Sequence, residues 1–347
     1  MSLQDALAHY IPAIDREILK TVDAAGDCGL YDLARYQLGW MDQHGARLPV
    51  EEAHRHGGKK LRPAMTLLSC AACGGDWLDA LPVAAAIELI HNFSLVHDDV
   101  EDGDQLRRHR LTVWGAFGVP KAVNCGSAMQ ALVYRAVLNL EHRRLPPGTA
   151  IQLVRLVTDA ILEMTEGQHL DIDFQERGHI SVDQYFDMTS RKTGALLEAA
   201  LRSGARIAGA QSDYEEALAR FGRSFGLAFQ ARDDYLGVWG DSRESGKAVG
   251  ADIQRKKKSL PVVFGMEQDP GGAGALIRRV MALDSISGDD IAAVIEVLDS
   301  CGAREFTEEA AVRHTRAARI ALSENLPESS AREALLEIAE LAAMRRV

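Results

Sequence analysis

Apolar residues along this chain recur at intervals of three and four, the period of one helix face. Leu218, Phe221 and Phe225 form one such run, and Leu335, Ile338 and Leu341 another. Capping-box pairs precede three runs: Ser181 with Gln184, Ser212 with Glu215, and Ser330 with Glu333. Such pairs predict helix starts, because each side chain can take up an amide group of the first turn. Strand-like alternation is scarce, and the β-branched VVF after Pro261 is too short to assign. Turn-forming residues mark breaks at RRLPPGT (143–149), GDSRESGK (240–247) and EQDPGGAG (267–274). None is long enough for a flexible linker, and no fixed-period repeat is present. The pattern predicts one large all-α domain over residues 1–347, with residues 1–50 as a helical N-terminal extension.

Composition narrows the picture. A chain of 347 residues that is 47% hydrophobic can bury a large core. The net charge of -11 argues against nucleic acid as a partner, since no broad basic surface is implied. No uninterrupted apolar run approaches the roughly 18 residues of a membrane span, so none is expected. The N-terminal segment carries early acids and no long apolar stretch, unlike a signal peptide. With five sparse cysteines (Cys28, Cys70, Cys73, Cys125 and Cys301), this suggests a reducing cytoplasmic location. Cys70 and Cys73 form a CxxC, but without a second pair or a nearby His they read as small core residues on a helix.

The chemistry concentrates in acidic clusters. In LIHNFSLVHDDVED (89–102), helical spacing of four and seven places His91, Asp98 and Asp102 on nearly one face, with Asp99 beside them. Carboxylates this crowded repel one another unless a cation lies between them, and oxygen-only ligands suit Mg²⁺. Arg107, Arg108 and Arg110 follow at once. Upstream, GGKKLRP (57–63) sets Lys59, Lys60 and Arg62 behind two glycines, which permit close approach to an anion. A carboxylate cluster flanked by such cations matches a metal-bridged diphosphate. The second acidic segment, FQARDDYLG, puts Gln230 four residues before Asp234, with Asp233 adjacent. Lys247 and the run Lys256, Lys257, Lys258 follow, and RKTG (191–194) lies between the two acidic segments. Two acidic clusters and three basic segments predict two opposed metal-binding walls and two anionic substrates. GDSRESGKA only approximates a P-loop: it has five residues between Gly240 and Gly246 and Ala248 in place of Ser or Thr.

Together these motifs resemble the trans-isoprenyl diphosphate synthases, or polyprenyl synthetases, from about residue 55 to 265. GGKKLRP resembles the first basic motif and DDVEDGDQLRR the first aspartate-rich motif with its arginine pair. GQHLDIDF (167–174) and KTGALL (192–197) resemble the middle segments. FQARDDYLGVWGD and GKAVGADIQRKKKSLP resemble the second aspartate-rich motif and its lysine segment. The resemblance implies an all-helical bundle of the isoprenoid synthase type around a deep central cavity, a homodimer, and three Mg²⁺ ions per active site. It implies that Asp98, Asp99, Asp102 and Asp233 act through the metals, with Asp234 in support. Arg107, Lys192 and Lys257 would hold an allylic diphosphate. Lys59, Arg62, His91 and Arg108 would hold isopentenyl diphosphate. Thr193 and Gln230 would line the reacting carbons. Phe93, five residues before the first motif, would floor the cavity and stop the product near C20, with C15 and C25 open.

Three departures qualify the resemblance. Gly237 stands where the second motif ends in Asp, and with Gly240 predicts that the helix loosens or ends there. Ser127, in NCGSAM, stands where an Asp is common, and His109 and Leu111 alter the residues after the arginine pair. Gly237 and Ser127 motivate an alternative, a terpene synthase on the same fold. Lys59, Arg62 and His91 oppose it, because a cyclase has no second diphosphate to hold. A non-catalytic partner subunit is opposed by the complete DDVED and arginine pair.

Overall fold

The structure, a computed structural model, describes residues 2–143, 145–240 and 248–344. Lys247 and positions 241–247 of the second break lie outside them. In chain order the helices are α1 (Leu3–Asp23), α2 (Gly29–Gln37), α3 (Val50–Gly57), α4 (Leu61–Ala72), α5 (Leu81–Glu101), α6 (Val113–Phe117), α7 (Val119–Leu138), α8 (Thr149–Glu176), α9 (Val182–Thr189), α10 (Ala195–Ile207) and α11 (Ser212–Trp239). They continue with α12 (Ala251–Gln254), α13 (Leu260–Gln268), α14 (Ala273–Met281), α15 (Gly288–Ser300), α16 (Ala303–Ser323) and α17 (Ser330–Met344). The described strands, Leu106–Arg107 and Arg110–Leu111, form one antiparallel hairpin. The fold is therefore all-α, as the periodicity predicts, and VVF belongs to α13.

Local chemistry explains the helix starts. Ser181 and Gln184 form the expected box, the Ser181 hydroxyl accepting from the Gln184 N–H at 3.1 Å and Gln184 Oε1 from the Ser181 N–H at 2.9 Å. The other two starts shift. The Ser329 hydroxyl accepts from the Arg332 N–H at 3.1 Å, so the cap precedes Ser330 by one residue. Glu215 does not close a box with Ser212, which is already helical; its carboxylate accepts from Arg202 and Arg206, each at 2.9 Å. Two further boxes, Ser2 with Asp5 and Ser287 with Asp290, use Asp where the sequence pattern sought Glu or Gln.

The chain divides into two compact units. The first holds residues 1–159, 199–215 and 326–335. Its centre is α5, which is apolar nearly all round, as a buried helix must be. The segment Trp77–Glu101 is long and apolar enough to cross a membrane, yet 78% of its apolar window is buried in the fold, so it is a core helix. Cys70 and Cys73 close α4, and burial pushes their thiols up to about 12 and about 11, as befits inert packing residues.

The second unit holds residues 160–198, 216–325 and 336–347. One of its cores gathers Val238, Ile253, Val262, Met266, Ile277 and Leu298. Another gathers Phe174, Tyr185, Met188, Ala231, Leu260 and Val263 around the middle of α11.

Candidate active site

The first acidic motif sits where the apolar helix α5 runs out. Asp99 is buried at 1% exposure, Asp98 is half-buried, and Asp102 caps the helix in solvent. Arg107 donates to Asp99 Oδ1 from Nε at 2.7 Å and lies 2.6 Å from it through Nη2. Burial raises the Asp99 carboxyl above its ordinary value against the pull of Arg107. The other oxygen, Asp99 Oδ2, is buried without a hydrogen-bond partner.

The arginine pair is presented by the hairpin. Arg108 and His109 form its two-residue turn, at φ 51° and 61°. Two left-handed central residues are what a tight hairpin turn of this length needs, and Asn-Gly is the usual choice. Arg and His there store strain, and strain of this kind gathers at functional sites. The strain has a visible purpose: Arg108 Nη1 donates to the His56 carbonyl at 2.7 Å. Its guanidinium lies so close to Gly58 that a Cβ there would be 2.5 Å from Nη2. The GGKK loop and the arginine pair thus meet, Gly58 and Arg108 being 50 residues apart in sequence. His91 joins them: burial, then Arg62, Arg108 and Arg107, holds its imidazole well below the ordinary value. Arg62 Nε is buried without a partner. Lys59 is exposed, whereas Lys60 is buried. Glu88 is a carboxylate facing this cationic group, 3% exposed and bonded to the Asn92 amide at 3.0 Å. Its place inside the apolar run AAAIELI was the signal that sequence reading passed over. Phe93 stands apart, packed against His97.

In the second unit, Asp234 is fully engaged. Oδ2 accepts from the Tyr185 hydroxyl at 2.5 Å and from the Leu260 N–H at 2.7 Å, and Oδ1 from the Gln230 amide at 2.9 Å. Burial, then the Asp252 charge, pushes its pKa up to about 7. Asp233, one residue earlier, is half-buried. Lys192 and Thr193 lie in a π-turn, Ser190–Gly194, a distortion frequent at functional sites. Gly167 leaves room for it, since a Cβ there would be 2.2 Å from the Lys192 backbone nitrogen. Lys192 Nζ reaches Asp171 at 2.5 Å. Lys257 is exposed, and its backbone N–H bonds the Asp252 carbonyl at 2.9 Å. Asp171 and Asp252 lay inside quoted motifs without being singled out; Tyr185 gave no sequence signal.

The helix does not end at Gly237. It continues to Trp239 and stops before Gly240. The side-chain space at Gly237 is filled by Asp252, whose Oδ2 would lie 2.1 Å from a Cβ there. Ser127 is exposed on α7.

Among the described residues, no three His, Cys, Asp or Glu side chains are grouped closely enough to hold a metal alone. Mg²⁺ does not need such a cage. It is bound by one or two carboxylates, with waters and substrate phosphate oxygens completing its shell. The unpartnered Asp99 Oδ2 beside Asp98 offers hard oxygen donors of that kind, so the residues present fit the ion.

Comparison with known proteins agrees. A family model of polyprenyl synthetases matches residues 46–298. A (2E,6E)-farnesyl diphosphate synthase of Mycobacterium bovis is 38% identical over 286 residues, 80% of this chain and 76% of that protein. A geranylgeranyl diphosphate synthase of Mycobacterium tuberculosis is 34% identical over 336 residues, 93% of each chain. The crystal structure of a polyprenyl synthetase from Streptomyces coelicolor A3(2) superposes with a TM-score of 0.88 at 33% identity, covering 99% of this chain and 100% of that one. The fold and site thus define an all-helical prenyl-transferring enzyme. The chain belongs to the polyprenyl synthetase family and is a short-chain trans-prenyltransferase.

Proposed function

We propose that the enzyme condenses isopentenyl diphosphate with an allylic diphosphate, in a Mg²⁺-dependent reaction, to give chiefly geranylgeranyl diphosphate (C20). The observation that carries this reading is the meeting of the GGKK loop, the arginine pair and His91 around one cationic site next to the Asp99–Arg107 pair. One diphosphate can use Arg107 and the acidic motif through metal, while the cations around Gly58 remain for a second.

In this reading Arg107, Lys192 and Lys257 hold the allylic diphosphate, and Lys59, Arg62, His91 and Arg108 hold isopentenyl diphosphate. Three Mg²⁺ ions, held through Asp98, Asp99, Asp102 and Asp233, would supply charge neutralisation to the departing diphosphate. Asp234 supports Asp233 from behind, since its own oxygens are taken. A unit charge pair at 4 Å is worth about 4 kcal/mol at an effective dielectric near 20. Several cations acting as the C–O bond breaks therefore lower the barrier substantially. The isopentenyl double bond attacks the allylic cation, with Thr193 and Gln230 lining the reacting carbons. A proton then leaves to the diphosphate. Water must be kept out, or it would quench the cation. A homodimer, as the family resemblance implies, is part of this proposal.

The terpene synthase alternative loses its motives: Gly237 is accounted for by Asp252, and Ser127 faces solvent. The test is incubation with isopentenyl and farnesyl diphosphates, with Mg²⁺ or with a chelator, and product analysis by mass spectrometry. We expect Mg²⁺-dependent consumption of isopentenyl diphosphate and a C20 product. No consumption would overturn the reaction, and a C15 or C25 product would correct the length alone.

A further inference from the structure

The N-terminal helices are tied to the two basic segments at Lys60 and at Arg110. Lys60 lies between Lys59 and Arg62 yet points inward, with a left-handed backbone (φ 47°) and a side chain only 2% exposed. Its ammonium lies 2.5 Å from Asp15 Oδ1 on α1 and 6.0 Å from the Trp40 ring centroid. Gly57 packs closely there, since a Cβ on it would be 3.0 Å from Lys60 Nζ. The hairpin is fixed in the same way from α2. The Tyr36 hydroxyl donates to the Leu111 carbonyl at 2.7 Å. The Arg110 guanidinium lies 3.5 Å from the Tyr36 ring centroid and donates to the Tyr36 carbonyl at 3.1 Å and to the Met41 carbonyl.

We infer that Asp15 and Tyr36 are positioning residues for isopentenyl diphosphate: α1 and α2 set the geometry of the GGKK loop and the Arg107–Arg108 turn. The inference rests on the functional reading above. Lys60 acts as a buried peg for the loop. A buried ammonium that loses its paired carboxylate keeps only the charge of Glu88 nearby and moves toward water. That movement pulls Lys59 and Arg62, on either side of it, out of register. Gly58 moves with them and releases Arg108. Removing the Tyr36 hydroxyl loosens the other side of the same site by freeing the strand after the turn. The allylic diphosphate is held largely by other residues, so the defect falls on one substrate.

The experiment is titration of isopentenyl diphosphate into the full-length protein by calorimetry, with KM values for both substrates and thermal melting in parallel. Asp15→Asn is expected to weaken isopentenyl diphosphate binding and raise its KM tenfold or more. The allylic KM should change less than threefold, Asp15→Glu should recover most of the loss, and Tyr36→Phe should show the same selectivity at smaller size. The control is Lys20→Gln. It breaks an ion pair internal to α1, from the exposed Lys20 to Glu17 at 3.7 Å, and is expected to leave both KM values unchanged. Equal effects on both substrates, or an equal effect of Lys20→Gln, would assign Asp15 to general stability and overturn the inference. Isopentenyl diphosphate binding by the wild type with none lost in Asp15→Asn would also overturn it. No binding by the wild type would remove the functional reading and this inference with it.

Discussion

The Asp252 carboxylate occupies the space that a side chain at Gly237 would need, its Oδ2 falling 2.1 Å and its Cγ 2.4 Å from an ideal Cβ at that position. Asp252 is itself 4% exposed and close enough to Asp234 to raise its pKa, so it has little room to retreat. Two opposing terms decide what Gly237→Ala does. Helix propensity favours Ala by about 1 kcal/mol, whereas overpacking a tight core costs about 1–3 kcal/mol. Packing wins, and Gly237→Asp fares worse because it adds a further carboxylate beside Asp252 and Asp234. Thermal denaturation should rank wild type above Gly237→Ala above Gly237→Asp, with product formation falling in the same order. An Asp variant as stable and as active as the wild type would show that Asp252 moves freely.

Tyr185→Phe removes one of three donors to Asp234 without changing the ring that packs in the core. The hydroxyl's 2.5 Å bond disappears, and the carboxylate keeps only the Leu260 N–H and the Gln230 amide. Leaving a buried acceptor short of a donor costs about 1–3 kcal/mol. The urea midpoint should fall accordingly with an unchanged denaturant slope. Turnover should fall less than in Asp233→Ala, since the neighbouring Asp233 is not touched.

Much of the site was legible because its parts are short local motifs. A pair such as Asp98 and Asp99 carries its chemistry in adjacent positions, and it lies at the end of the buried helix α5. What could not be read was long-range. Nothing in the second acidic motif discloses that a carboxylate 15 residues beyond Gly237 fills the gap left there. Tyr185 lies 49 residues from Asp234 and belongs to no motif, yet it decides how that carboxylate is held. The same limit applied to residues 1–50, which periodicity reads only as helical; their ties to Lys60 and Arg110 appear once the chain has folded. Cap positions slipped by one residue at Ser330 because Ser329 offers the same hydroxyl.

His314 supplies a pH dependence. It is half-buried against the Phe186 ring at 5.4 Å, and its Nε2 has no hydrogen-bond partner. Burial, then Arg313, pushes its imidazole down from 6.5 to about 4. Between those values the unfolded chain takes up a proton that the folded chain refuses. Stability from this group is therefore complete above pH 6.5 and declines as pH falls toward 4. His314→Leu should narrow the difference in melting temperature between pH 7.5 and pH 5. An unaltered difference would show that His314 is hydrated in the folded protein.

Phe93 decides the last prediction by where its ring lies on α5. It is five residues before Asp98, which places it about 7.5 Å deeper along the helix axis and about 140° around it. The ring is 4% exposed and meets the His97 imidazole at 5.9 Å. The imidazole in turn rests on Gly126, where a Cβ would be 2.1 Å from His97 Nε2. The two rings and the glycine thus form a layer between α5 and α7. Truncating a ring in sealed core costs about 3–5 kcal/mol and leaves a void. A ring that borders space for a growing apolar chain costs less, because that chain fills the volume. We expect the second outcome: Phe93→Ala should lengthen the main product by at least one five-carbon unit, read by mass spectrometry, with a stability loss below the sealed-core range. An unchanged product with the full loss would make Phe93 packing alone, and the length limit would then lie with other residues.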